Sequence, residues 1–242
     1  MSHRDLLLLG DILTCPTPKY TRVQIAHGVT YSGPGPWIAV TITPGAATTT
    51  GNCLFVWTRS WWGQCASVTD GTNSFTLVAT VVDGIGEHEL QLWYCPNITG
   101  TAANITCSWG FTSGGEHVVC MAEYSGLLAA PLDALSVGTK VVDSGPYETH
   151  PFSDHFNTAE ADELILVGAS GFPGYESMEA DTRCWVTVDS SVDSIGVLGY
   201  QEGGKRPLLQ SAHASFFSTL GGFGGATPTY YVMIWAAFKT TP

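Results

Sequence analysis

Four residues of one short segment have the types that build a recognition surface: Trp57, Arg59, Trp61 and Trp62. Indole rings stack on sugars or on a partner protein, and Trp and Arg are frequent interface anchors. The competing expectation is that Trp57 is core and that only one of Trp61 and Trp62 reaches solvent. Glu148, His150, Asp154 and His155 bring metal-ligating types close together. Their spacing on a loop matches no metal motif, so a solvated loop without metal is expected. Asp70, Asn73 and Asp83 could offer oxygens to calcium, but no EF-hand pattern surrounds them. Asp70-Gly71-Thr72-Asn73 reads better as turn chemistry. A glycosidase needs two carboxylates about 5–9 Å apart across a cleft. Glu87, Glu89 and Glu123 are the candidates, Glu123 because its strand reads as buried. The plainer expectation for such a residue is a carboxylate bonded to a turn. No Gly-x-Ser-x-Gly motif occurs, and neither Gly168-Ala169-Ser170-Gly171 nor Gly221-Gly222-Phe223-Gly224-Gly225 opens a helix. No catalytic residue, cofactor or metal is therefore expected.

Seven cysteines add a second chemistry: Cys15, Cys53, Cys65, Cys95, Cys107, Cys120 and Cys184. No CxxC or CxxH pair exists, so a zinc knuckle is not expected. Two readings stay open: buried free thiols acting as small hydrophobes, or a partial disulfide network in an oxidising medium. Cys15, in a Pro-rich N-terminal stretch, is the candidate for pairing with another chain. Leu6 to Leu9 are stopped by Gly10 and Asp11, too short a run for a secretory signal. Asn97-Ile98-Thr99 and Asn104-Ile105-Thr106 are glycosylation sequons; without such a signal they read as unmodified turn and strand residues. A particle made in a host cytoplasm and oxidised after release reconciles many cysteines with no leader. A secreted or cell-surface protein is the alternative setting.

The elements that must position these residues are strands. Trp37–Thr43, Cys53–Trp57, Ser74–Val82, Glu89–Cys95, Asn104–Phe111 and His117–Tyr124 alternate or are short and apolar. Glu163–Ala169, Cys184–Val188, Gly196–Tyr200, Ser211–Ser218 and Tyr230–Phe238 follow in the same manner. Short period-two runs bounded by Gly, Asn, Asp and Pro predict an all-β protein. No stretch holds a helical period. Pro131–Phe156 reads as a long connection between sheets.

A weak repeat runs through the chain. The segment Thr50-Gly51-Asn52-Cys53-Leu54-Phe55-Val56 resembles Ala161-Asp162-Glu163-Leu164-Ile165-Leu166-Val167, and Val119–Tyr124 resembles Met233–Phe238. The spacing, about 110 residues, is too long for a solenoid. It fits the two Greek-key halves of one jelly roll or two stacked small sandwiches. The expectation is an antiparallel, jelly-roll-like β-sandwich with two pseudo-repeated halves over 37–242. An extended N-terminal arm over 1–36 would dock on neighbouring subunits.

Composition narrows the partners. Of 242 residues, 9 are basic and 21 acidic, a net charge of −12. So few Lys and Arg cannot neutralise a phosphate track, and neither nucleic acid nor an anionic membrane is an expected partner. Charged residues are 12% of the chain, about half the usual ~25%. Such a surface is suited to packing against neighbours.

Residues 50–170 resemble a β-sandwich domain of bacterial cell-surface and tailed-phage virion proteins, a largely uncharacterised family. The resemblance rests on Gly51-Asn52-x-Leu54, Val68-Thr69-Asp70-Gly71-Thr72-Asn73-Ser74-Phe75-Thr76-Leu77, Leu92-Trp93-Tyr94-Cys95-Pro96-Asn97-Ile98 and Ala122-Glu123-Tyr124-Ser125-Gly126. Thr158-Ala159-x-x-Asp162-Glu163-Leu164 and the ending Ala236-Ala237-Phe238-Lys239 extend it. Members are commonly Cys-poor and often repeated, unlike this chain. The resemblance implies a non-enzymatic structural protein of a virion, as capsid decoration or tail- or collar-associated protein. Its partners would be other virion proteins and copies of itself. The alternative is a carbohydrate-binding module or lectin that meets cell-surface glycans through the Trp platform, with a glycoside hydrolase third.

Overall fold

The computed structural model describes residues 19–32, 35, 37–83, 86, 88–110, 115–142, 149–156, 163–172, 176–180, 185–193, 196–204, 210–218 and 229–242. Every regular element among them is a strand. The first eight are β1 (Thr21–Ser32), β2 (Ile38–Ile42), β3 (Cys53–Trp61), β4 (Cys65–Thr69), β5 (Thr76–Val82), β6 (His88–Cys95), β7 (Ile105–Trp109) and β8 (Gly115–Ser125). The second eight are β9 (Leu127–Val142), β10 (Thr149–Phe156), β11 (Leu164–Phe172), β12 (Glu176–Ala180), β13 (Trp185–Asp193), β14 (Gly196–Gly204), β15 (Gln210–Ser218) and β16 (Thr229–Thr240).

The sheet orders repeat with a shift of eight strands. The first half forms β1-β8-β3-β6-β5 and β2-β7-β4; the second forms β9-β16-β11-β14-β13 and β10-β15-β12. First strand beside last, with third and sixth inside, is jelly-roll connectivity. Each half is therefore a complete jelly-roll unit, with its fifth strand hydrogen-bonded in the larger sheet. The registers match too. Cys53 lies opposite Tyr124 on β3 and β8, as Leu164 lies opposite Phe238 on β11 and β16. These are the segments that resemble each other in sequence.

The two larger sheets pack face to face. Phe55, Trp57, Leu90, Leu92, Cys120 and Tyr124 meet Leu164, Leu166, Ile234, Ala236 and Phe238 in one core. Phe55 sits edge-on to Phe238 with ring centroids 4.5 Å apart. The other face of the β1-β8-β3-β6-β5 sheet is covered by β2-β7-β4, where Leu54, Val56, Val119 and Met121 meet Val40, Ile42, Ile105, Cys107 and Trp109. Covered on both sides, β3 is buried at every position from Cys53 to Ser60. A sheet without a wet face does not alternate. The outer β7 keeps one wet face and alternates along its length. Contacts of β9 with β5, and of β11 and β16 with β6, join the two units.

Two expectations change here. Residues 21–32 of the expected arm are β1, paired along its length with β8 of the same chain; 1–18 lie outside the described residues. The supposed connection Pro131–Phe156 carries most of β9 and all of β10. Alternation of small and polar residues in Ser136–Thr139 hides a strand whose partner, β16, supplies the apolar side chains. No linker separates the units: only Gly126 lies between β8 and β9, its carbonyl accepting the Thr241 N–H at 2.8 Å.

Candidate functional site

Polar and charged side chains gather at one end of β3, β6 and β8. Arg59 is fully buried, and its Nη1 donates to the Glu116 carboxylate, also fully buried, in an ion pair. Strand alternation places Arg59, Trp61, Glu116 and His88 on the face toward the second unit, in step with Trp57, Val118 and Leu90. His88 lies against Trp61 with ring centroids 5.1 Å apart. Asp83, at the end of β5, is held by its N–H to the His88 carbonyl at 2.9 Å. Ser60, Glu89 and His117 point to the opposite face. There His117 lies against Trp109 at 4.8 Å. On the same face the Thr58 hydroxyl, Gln91 amide and Thr80 hydroxyl form a hydrogen-bonded chain of 3.1 and 3.2 Å links.

The electrostatics follow from burial around one guanidinium. Burial, then the Arg59 charge, push His88 down to about 4, with Asp83 opposing. The same two causes lower His117 to about 4. Both imidazoles are neutral at neutral pH. Burial raises the Glu89 carboxyl to about 7. Glu89 is 5% exposed and its Oε1 has no hydrogen-bond partner.

This end of the sheet replaces the expected aromatic platform. Trp57 is core and Arg59 is spent on Glu116, so neither offers a surface. Trp61 is half-buried, and Trp62 is 40% exposed at the turn after β3, with a positive φ of 62°. The alternative weighed for the Trp cluster is thus the arrangement found. Glu116, His88 and His117 were not singled out in the sequence. The signal was present: an Arg inside an apolar strand requires a buried counter-charge, and Gly115-Glu116-His117 enters the neighbouring strand.

The carboxylate candidates do not converge. Glu89 lies opposite Ser60, and Glu123 lies opposite Leu54. Along β3 those positions are about 20 Å apart, against the 5–9.5 Å of a glycosidase pair. Glu123 instead ties a loop to the sheet. It accepts the Thr49 N–H at 2.9 Å, the Asn52 amide at 2.6 Å and the Gln24 amide at 2.5 Å. That is the turn-bonded carboxylate of the plainer expectation. Glu87 lies outside the described residues.

The remaining candidates are accounted for in turn. Asp70 accepts the Thr72 and Asn73 N–H groups at 2.9 and 2.7 Å and the Asn73 amide at 2.6 Å. Burial would raise its carboxyl, but these hydrogen bonds hold it below the ordinary value. Asn73 in turn accepts from the Thr99 N–H at 2.8 Å. Asn97 and Asn104 are exposed; Asn97 sits at a turn with φ 52°, and Asn104 accepts the Thr43 hydroxyl at 2.9 Å. His150, Asp154 and His155 fall on β10 rather than on a loop, and Glu148 lies outside the described residues. Among the described residues no group of His, Cys, Asp and Glu has a metal-binding arrangement. Cys53, Cys65, Cys95, Cys107 and Cys120 are buried free thiols, the first of the two cysteine readings; Cys15 and Cys184 lie outside the described residues.

Fold and site together define an all-β protein of two face-packed jelly-roll units, whose described titratable groups are largely drawn into the interior. Comparison with protein-family models, with curated proteins and with solved structures finds no match for this chain.

Proposed function

We propose that the chain is a non-enzymatic structural protein of a tailed-phage particle, a decoration or tail- or collar-associated subunit that acts by contacting copies of itself. The virion setting rests on the sequence resemblance. The mode of action rests on one observation: each unit carries exposed apolar side chains on its first strand, at the sheet edge. On β1 they are Val23, Ile25 and Val29; on β9 they are Leu132, Leu135 and Val137. Both strands end their sheets, and they occupy equivalent places in the repeat. Edge strands carry backbone groups that pair readily with another chain. Two equivalent apolar edges on one subunit give it two like attachment points, which favours assembly over catalysis.

Sedimentation of the full chain across a concentration series tests this. Self-association is expected, and it should be lost in an Ile25→Asp/Val137→Asp variant that keeps its strand circular-dichroism signal. A chain that stays monomeric up to about 100 μM, far above typical interface dissociation constants, overturns the reading. Removal of 1–18, rather than of 1–36, now tests the arm, because a longer deletion removes β1. The glycan reading keeps Trp62 and half-buried Trp61 as its only solvent-facing indoles from the original cluster. A glycan panel that binds the parent chain and not the Trp62→Ala variant would put that reading first.

A further inference from the structure

We propose that the outer face of the β2-β7-β4 sheet, with Trp37 at its end, is a binding surface for a neutral carbohydrate. The inner face of this sheet is core: Val40, Ile42, Val68 and Cys107 pack toward the larger sheet. Alternation along each strand turns the residues between them outward. The registers set those residues in rungs across all three strands. Thr41, Thr106 and Thr69 form one rung, and Ala39, Ser108 and Ser67 form the next. The Thr41 and Thr106 hydroxyls bond each other at 3.1 Å, which puts both on one side. Trp37, one residue before β2, continues the outward series of Ala39 and Thr41. It is 74% exposed, the most exposed of the large hydrophobic side chains described.

Three properties of this face select the ligand. It carries no charge: in a chain of net charge −12, the two rungs hold only hydroxyl and methyl groups. A charged partner finds no counter-charge there, whereas an uncharged one leaves no charge desolvated. The face is also flat. Ser, Thr and Ala are short, and the indole of Trp37 alone stands above the sheet. Adjacent strands lie about 4.8 Å apart and outward residues repeat about every 6.8 Å. The hydroxyls therefore make a shallow grid that both donates and accepts, as the hydroxyls of a sugar do. Finally, the face is poor in apolar area. A protein interface is built around an apolar core of several side chains, and one indole does not supply it. A single wide ring with a polar N–H edge suits a sugar ring, whose C–H face is bordered by hydroxyls.

Access is open. β2 and β4 are the edges of their sheet, and Ala39, Thr41, Ser67 and Thr69 are exposed. Trp62 lies in the turn that enters β4 and belongs to neither rung. The surface is also distinct from the β1 and β9 edges, so it stands independently of self-association.

The test is affinity electrophoresis of the full chain in native gels, each cast with one soluble polysaccharide. A β-glucan, a mannan, a galactan and dextran are the neutral probes, and polygalacturonate is the anionic comparison. Retardation by at least one neutral polymer, and not by polygalacturonate, is the expected result. Trp37→Ala should weaken it about tenfold or more, the scale of an aromatic anchor. Ala39→Asp, which sets a carboxylate beside the indole, should weaken it in the same direction. Both positions are exposed, and a parent-like Tm checks that the variants fold. Trp62→Ala should bind as the parent does. No retardation by any neutral polymer, retardation that survives Trp37→Ala, or loss in Trp62→Ala alone overturns the proposal. Failure of the assembly reading is seen separately, in sedimentation of the parent chain, and leaves this result unaffected.

Discussion

Replacing Gly168 by Ala probes the packing of the two units directly. Gly168 lies on β11 under the ring of Trp57, and a methyl there would stand 2.5 Å from Cε3 and 2.6 Å from Cη2. Ordinary carbon contacts are about 3.5–4.0 Å, so the ring must retreat by about 1 Å. Trp57 is fully buried between Leu92 and Cys120 of its own sheet and has nowhere to go. Overpacking of this kind costs about 1–3 kcal/mol, and a fully enclosed Trp places it near 3. Gly168 has no positive φ, so Ala returns about 0.5–1 kcal/mol of backbone entropy. The net expectation is a loss of about 2 kcal/mol, or roughly 4–8 °C in Tm for a chain of this size. Thermal melts and urea titration measure it. Trp57→Phe in the Gly168→Ala background should recover part of the loss, with a coupling of at least ~1 kcal/mol in the double-mutant cycle. A Gly168→Ala protein as stable as its parent, or additive changes in the cycle, would refute the face-to-face arrangement.

The other predictions concern the buried charges and the junction. Glu116→Gln leaves the Arg59 guanidinium buried without its counter-charge and should cost about 3–5 kcal/mol, whereas Arg59→Met/Glu116→Leu should cost less than either single change; chemical denaturation decides. His88 and His117 are depressed to about 4, so their contribution is full above the ordinary 6.5 and lost as pH falls through 4. Glu89 is raised to about 7, so its contribution is full below 4.5 and lost as pH rises through 7. Around pH 5.5 the unfolded chain then binds about one more proton than the folded one, and stability falls by about 1.4 kcal/mol per pH unit toward acid. Glu89→Gln should steepen that slope in urea midpoints taken from pH 7 to 5; an unchanged slope would show that Glu89 titrates normally. Gly126→Ala should destabilise by at least ~1 kcal/mol, because φ is +83° and the new methyl would meet the Tyr20 Cα at 3.2 Å; a Tm equal to that of the parent contradicts it.

Much of the fold was legible because its strands carry local signals. Cys53–Trp61 and Ile105–Trp109 announce themselves, one by unbroken apolarity and one by alternation. The strands not anticipated are those whose partners supply the apolar contacts. In β4, Ala66 and Ser67 are exposed at the bulge, and β9 begins with small residues and a Pro. β1 was obscured by its setting, since the Pro-rich stretches on either side suggested a continuous arm. The site was less legible than the fold. Trp57 and Trp61 share a face of β3, and sequence spacing says so, but not that a second sheet closes over that face. The Arg59–Glu116 pair joins β3 to β8 across most of the first unit's length, a separation that no local pattern encodes.

The face-to-face packing of the units explains why the repeat is weak in sequence although the topology repeats strand for strand. In the alignment that pairs Cys53 with Leu164, Trp57 falls on Gly168 and Arg59 on Ser170. Where the packed sheets meet, one position of the first unit faces its own equivalent in the second: Trp57 faces Gly168. Two Trp residues there would collide and two Gly residues would leave a void, and either costs stability in a close-packed interior. A large residue in one unit and a small one in the other fills the space once. Ser170 fits the same logic: it is 1% exposed, and its Oγ has no hydrogen-bond partner. The inner sheets must therefore diverge where equivalent positions meet, while their framework positions, Leu54, Val56, Ile165 and Val167, stay alike. The outer edges feel no such pressure, and there β1 and β9 both expose apolar side chains. Divergence where equivalent positions meet is what packing demands. Likeness at the rim is not demanded by packing, and the proposed contact with other subunits would account for it.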